Sequence, residues 1–162
     1  MSEDNTPRHG VELRTPFSQV TRRSVGVNAN DVLLTGRWVQ VENDIATIPG
    51  PADKVGLGLL LEGTHYHVGT REDFDGADSE AQTALPSTTA SRQVTVAYGI
   101  FIYRVNSAGF DVDEAYAAGD LLEIDDDGRL IPQNGGVAAA KVERVMADAN
   151  GPYELQVITL GS

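Results

Sequence analysis

The clearest alternation of apolar and polar positions runs over residues 92–105. Val94, Val96, Tyr98, Ile100 and Ile102 fall on one face of an extended chain, and Thr95, Ala97, Gly99, Phe101 and Tyr103 on the other. Strands usually run to about five or six residues, so a stretch this long is unlikely to stay straight. Gly99 at its centre predicts a bend or bulge that carries the chain around a barrel corner.

Shorter stretches repeat the pattern. In Gly36–Glu42, Trp38, Gln40 and Glu42 oppose Arg37, Val39 and Val41, and Asn43-Asp44 then turns the chain. Val55–Glu62 is a second strand whose Gly56 and Gly58 leave one face bare, as a bulge, a bend or a close approach requires. His65–Gly69 predicts a return strand. Leu121–Ile124 and Arg129–Ile131 pair across Asp125-Asp126-Asp127-Gly128, whose Asp-Gly end is a strong hairpin signal. A last hairpin joins Val137–Met146 to Tyr153–Leu160 across a turn ending in Asn150-Gly151-Pro152. Helical turns are expected in two places only. One is Asp111–Gly119, with Asp111 as cap and Gly119 as stop; the other lies near Ser79–Ala84.

Short strands, close turns and little helix predict an all-β chain, a small β-barrel or sandwich with an extended N-terminal arm and one short helix. Residues 1–30 form the arm, broken by Pro7, Gly10, Pro16 and Gly26. Residues 31–162 form a single β-barrel domain with a long acidic surface loop at about 72–91. Four of the ten arginines, Arg8, Arg14, Arg22 and Arg23, gather in the arm with Phe17, Val20, Val25 and Val27. The arm therefore either pairs with a partner surface, with Arg14, Phe17, Arg22 and Arg23 as its contacts, or packs as a first strand on its own domain.

Charge narrows the partners. Asp and Glu number 24 against 12 Lys and Arg, for a net charge of −12, and only Lys54 and Lys141 are lysines. A shell of hydrated carboxylates keeps a protein soluble in concentrated salt, where the Debye length falls to about 3 Å at 1 M. The balance also fits an acidic protein from an arginine-favouring genome. It argues against nucleic acid as a partner, which calls for a cationic footprint. No apolar run approaches the roughly 20 residues of a membrane-spanning helix, and the polar start Met1–Asn5 is not a secretory leader. With no cysteine there is no disulfide framework or thiolate metal site.

Candidate chemistry is sparse. His65 and His67, two apart on a strand, have the spacing of a metal-chelating pair that Glu62 or Asp73 would complete, but two exposed histidines fit as well. Asp125–Asp127 lacks the alternating acids of a calcium loop and fits a solvated hairpin tip. Trp38, Tyr98, Phe101 and Tyr103 make either a sugar-stacking platform or ordinary core. No nucleophile–base motif and no glycine-rich phosphate loop occurs, so neither enzyme activity nor a bound cofactor or metal is expected.

Tyr116-Ala117-Ala118-Gly119-Asp120-Leu121-Leu122, then Asp127–Pro132, then Gly136-Val137-Ala138 resemble the head decoration (cement) proteins of tailed viruses. The resemblance covers about 30 of the 162 residues. It implies a homotrimeric β-barrel on the outer surface of the virion, bound to the major capsid protein through its N-terminal arm and stiffening the coat lattice. With the lysine-poor composition it points to a virus of a salt-loving host. Another virion part (tail tube, turret or spike base) and a carbohydrate-binding β module are the alternatives.

Overall fold

The computed structural model describes residues 11–51, 54, 56–67, 82–84, 93–149 and 151–161. Within them the chain is all-β, with one short 3-10 turn at Phe17–Gln19. Five strands close a barrel in the order β2 (Thr21–Val27), β4 (Ile45–Thr47), β3 (Trp38–Glu42), β5 (Gly58–Glu62), β8 (Gln93–Tyr98). Six form an open sheet in the order β1 (Val11–Leu13), β9 (Ile102–Asn106), β13 (Gly151–Thr159), β12 (Ala140–Asp148), β10 (Leu121–Ile124), β11 (Leu130–Pro132). A separate ribbon pairs β6 (His65–His67) with β7 (Gln82–Ala84).

Two apolar cores follow from alternation on the barrel strands. Side chains pointing into the barrel, among them Val25, Val27, Val39, Leu60, Val94 and Val96, fill its interior. Those pointing outward from the same strands, Trp38, Leu59 and Ala97, join Tyr103, Phe110, Leu122, Leu130, Leu155 and Val157 in a second core between barrel and sheet. Each barrel strand on this side thus serves both cores, as strict period-two alternation requires. The Trp38 indole N–H donates to the fully buried Tyr103 hydroxyl at 3.0 Å, a polar tie across the second core.

Gly99 (φ +98°) is the corner where the 92–105 stretch leaves the barrel as β8 and enters the sheet as β9. Gly58 is confined from inside the barrel: a Cβ there would lie 2.1 Å from Val96 Cγ1, so only glycine lets β5 and β8 pack at this point. Asn43 and Asp44 both take left-handed angles (φ +53° and +63°), the conformation of a tight two-residue hairpin between β3 and β4. Both predicted C-terminal hairpins form, as β10–β11 and β12–β13.

Four expectations change. Residues 11–27 are not a detached arm: Val11–Leu13 pairs with β9, and Thr21–Val27 is a barrel strand whose Val25 and Val27 are core. Of the arm as read from sequence, residues 1–10 lie outside the described residues. The expected helix at Asp111–Gly119 is a series of turns. Its backbone is captured by tertiary partners: Asp111 N–H donates to Leu130 O at 3.0 Å, and Gly119 N–H donates to Val142 O at 2.8 Å. A nine-residue segment has too little intrinsic helical stability to resist that. Gln82–Ala84 is a strand, not a helical turn, because it pairs with β6; 79–81 and the rest of the 72–91 loop lie outside the described residues.

The acidic tip Asp125–Gly128 is solvated only in part: Asp126 and Asp127 are exposed, but the turn is anchored at both ends. Asp125 accepts from the N–H of Asp127 and Arg129 and from Arg129 Nε, and Asp126 pairs with Lys54 at 2.8 Å. Gly128 O accepts from Trp38 N–H at 2.7 Å, so the tip is clamped onto β3.

Candidate interaction surface

Phe17, Arg22 and Arg23 come together beside the N-terminal half of β2. Pro16 opens a single 3-10 turn, closed by Val20 N–H donating to Phe17 O at 3.2 Å. Val20 is buried in the core between the layers, and this anchor leaves Phe17 outside, 54 % exposed. Arg22 lays its guanidinium 3.6 Å above the centre of the Phe17 ring. Such a cation–ring contact on an exposed surface contributes about 0.5–1 kcal/mol.

Arg23 points the other way. It shares the face of Val25 and Val27 but lies beyond the barrel's filled interior. There it pairs with Asp44 from the β3–β4 turn and lies close enough to the Tyr98 hydroxyl to act on it electrostatically. Burial raises the Tyr98 pKa, and Arg23 opposes the rise. Arg23 thus ties three strands together at one end of the barrel. Among the described residues Arg22 has no carboxylate partner.

Val20, Arg22, Arg23, Ser24 and Thr95 line an open depression of about 380 Å³. Among the described residues its lining includes two arginines and no acid, and Asp44 pairs with Arg23, in a chain where acids outnumber bases two to one. Arg14 does not line it. Arg14 follows β1 and pairs with Glu12 at 2.8 Å at the edge of the open sheet.

Sequence reasoning missed how β2 divides. Thr21, Arg22, Arg23 and Ser24 are all exposed, whereas Val25 and Val27 are buried. The signal was present: Thr-Arg-Arg-Ser puts polar groups on both faces, and Val-Gly-Val restores alternation. It also missed the Arg104–Glu154 pair on the outward face of the open sheet. Glu154 is only 7 % exposed, and burial raises its pKa while Arg104 opposes the rise.

The other candidates separate. Trp38, Phe101 and Tyr103 are buried in the core between the layers, so they form no exposed platform with Tyr98. Trp38, Tyr98 and Phe101 instead border an apolar crevice of about 320 Å³ at the Gly99 corner, rimmed by the exposed Val137. His65 Nδ1 lies 2.8 Å from the Thr64 hydroxyl. The His67 side chain and Asp73 lie outside the described residues. Among the described residues no three His, Asp or Glu side chains converge as a metal site would need, and no helix is long and apolar enough to cross a membrane.

No protein-family model matches this chain, and no curated protein matches it.

Proposed function

We propose that this protein is a structural virion component that binds the outside of a capsid and stabilises the coat lattice. The carrying observation is the surface just described: an exposed Phe17 under Arg22, which has no carboxylate partner among the described residues, on a molecule of net charge −12. Arginine and aromatic side chains are the types that anchor protein interfaces. The segments that carry the resemblance to decoration proteins support the reading. Leu121–Ile124 and Leu130–Pro132 fold as one hairpin, clamped to the barrel through Gly128.

The role is thermodynamic. A protein that binds the assembled lattice, but not its separated subunits, shifts assembly by mass action. Contacts that are weak singly become strong when a homotrimer grips several coat subunits at once. In the concentrated salt to which the composition points, only contact-range charge pairs survive screening.

The test is cosedimentation of the purified chain with undecorated icosahedral shells of its virus, with release of shell protein on heating as a second readout. Saturable binding and a higher disruption temperature are expected. A chain that stays in the supernatant and leaves the shells unchanged overturns the reading. Truncation to residue 27 is unsuitable, because it deletes two strands, β1 and the barrel strand β2, and the core valines Val11, Val20, Val25 and Val27. Removal of residues 1–10 leaves every described strand intact.

A further inference from the structure

β2 is a barrel strand on only part of its length. Toward β8 it pairs from Thr21 to Gly26 with no register break. Toward β4 it pairs only at Gly26 and Val27. The Gly26 N–H points to the β4 side, where it donates to Asp44 O at 2.8 Å. Backbone direction in a strand repeats every second residue, so the N–H and C=O of Ser24 and Arg22 point to that same side. No strand meets them there among the described residues. The backbone groups of Thr21, Arg23 and Val25 point back to β8. β2 therefore ends in a free edge one strand-turn long.

Free edges are ordinarily blunted by bulges, prolines or covering chain, because they pair with whatever extended segment arrives. Among the described residues no bulge, proline or covering chain lies on Thr21–Ser24, and its only protection is the charge of Arg22 and Arg23. Its side chains select by charge instead. Arg22 has no carboxylate partner among the described residues, and the adjoining depression carries no acid.

From this geometry we infer that the Arg22–Ser24 edge accepts an extended, carboxylate-bearing segment of a partner protein as an added strand. The added backbone pairs with the N–H and C=O groups of Arg22 and Ser24. A carboxylate opposite Arg22 meets the guanidinium that now rests on Phe17, and an apolar neighbour covers the ring. Main-chain bonds supply the affinity and the carboxylate the selectivity. The inference rests on reading this surface as the partner-gripping one, and it names the chemistry of what is gripped.

The experiment follows amide hydrogen exchange in the full chain, with two capped hexapeptides in large excess: Thr-Val-Glu-Val-Glu-Thr and its lysine counterpart. Exchange at Arg22 and Ser24 is fast in the free protein, and the glutamate peptide slows it by about tenfold or more. The lysine peptide slows it less than about twofold. Ser24→Pro removes an N–H that bonds nothing among the described residues and one exposed hydroxyl bond to Gln93, so melting changes little while the response at Arg22 disappears. No slowing at Arg22 and Ser24, or equal slowing by both peptides, overturns the inference. Shell binding separates the two claims. If Ser24→Pro binds shells like the parent chain, strand addition fails and the capsid reading stands. If the parent chain ignores shells but the glutamate peptide protects Arg22, the capsid reading fails and strand addition stands.

Discussion

Arg129 and Arg22 are both arginines in a strongly acidic chain, and the fold treats them in opposite ways. Arg129 is half-buried behind the β10–β11 turn. Burial pulls its pKa down, but Asp125, Asp111 and Asp127 together push it above the ordinary arginine value. Asp125 holds it at 2.9 Å, and the same carboxylate caps two backbone N–H groups. Arg22 stands on an exposed strand over an aromatic ring, with no carboxylate partner among the described residues. With 24 carboxylates available, charges that shape the fold are matched within it. A cation left unmatched on a rigid edge is then suited to matching from outside.

The largest effect should come from breaking the Arg129 side. Gly128 has φ +88°, and a Cβ there would lie 2.3 Å from Trp38 O. Gly128→Ala combines left-handed strain with a backbone clash and should cost about 3 kcal/mol or more in denaturant unfolding. A loss under about 1 kcal/mol would mean that the tip is not clamped. Asp125→Ala comes next. It removes two caps and leaves Arg129 undercompensated, for a loss of about 2 kcal/mol. Arg22→Ala should cost no more than about 1 kcal/mol in unfolding, the contribution of an exposed cation over an exposed ring. Equal losses at Asp125 and Arg22 would erase the contrast between the two regions.

A smaller effect sharpens the comparison through pH. Glu154 is a buried carboxylate whose pKa lies above its unfolded value, chiefly through burial. The folded state therefore holds this proton more tightly than the unfolded chain does. Its contribution to stability is present below the ordinary carboxylate range and is lost as pH rises through the raised folded value. Unfolding titrations from pH 4 to 7 should show a downward slope that flattens in Glu154→Gln, after subtraction of the general acid titration. An unchanged slope would place the proton elsewhere.

Much of this fold was legible because its turns depend on local chemistry. Asn43-Asp44, Gly99 and Asp127-Gly128 turn the chain where their residue types predict, each through a left-handed angle at Asn43, Asp44, Gly99 or Gly128. The two cores were not legible. Period-two alternation says that Trp38 and Val39 face opposite ways, but not that both directions are buried. The 111–119 segment misled because its helix signals are local while its hydrogen bonds go to Leu130 and Val142. The sequence singled out Phe17, Arg22 and Arg23, and the fold brings Arg22 over the Phe17 ring. It did not show that Arg23 is a structural tie to Asp44 and Tyr98, or that Arg14 is occupied by Glu12. Such assignments depend on which strands become neighbours, and the closing β2–β4 ladder is parallel and joins segments 19 residues apart.

The most direct measurement is a cosedimentation titration with undecorated shells, comparing the parent chain with Arg22→Glu at equal thermal stability. The account predicts saturable binding by the parent chain and a loss of about tenfold or more in the variant, as for the removal of an interface anchor. Equal binding by the two would show that the grip lies on some other face of the molecule.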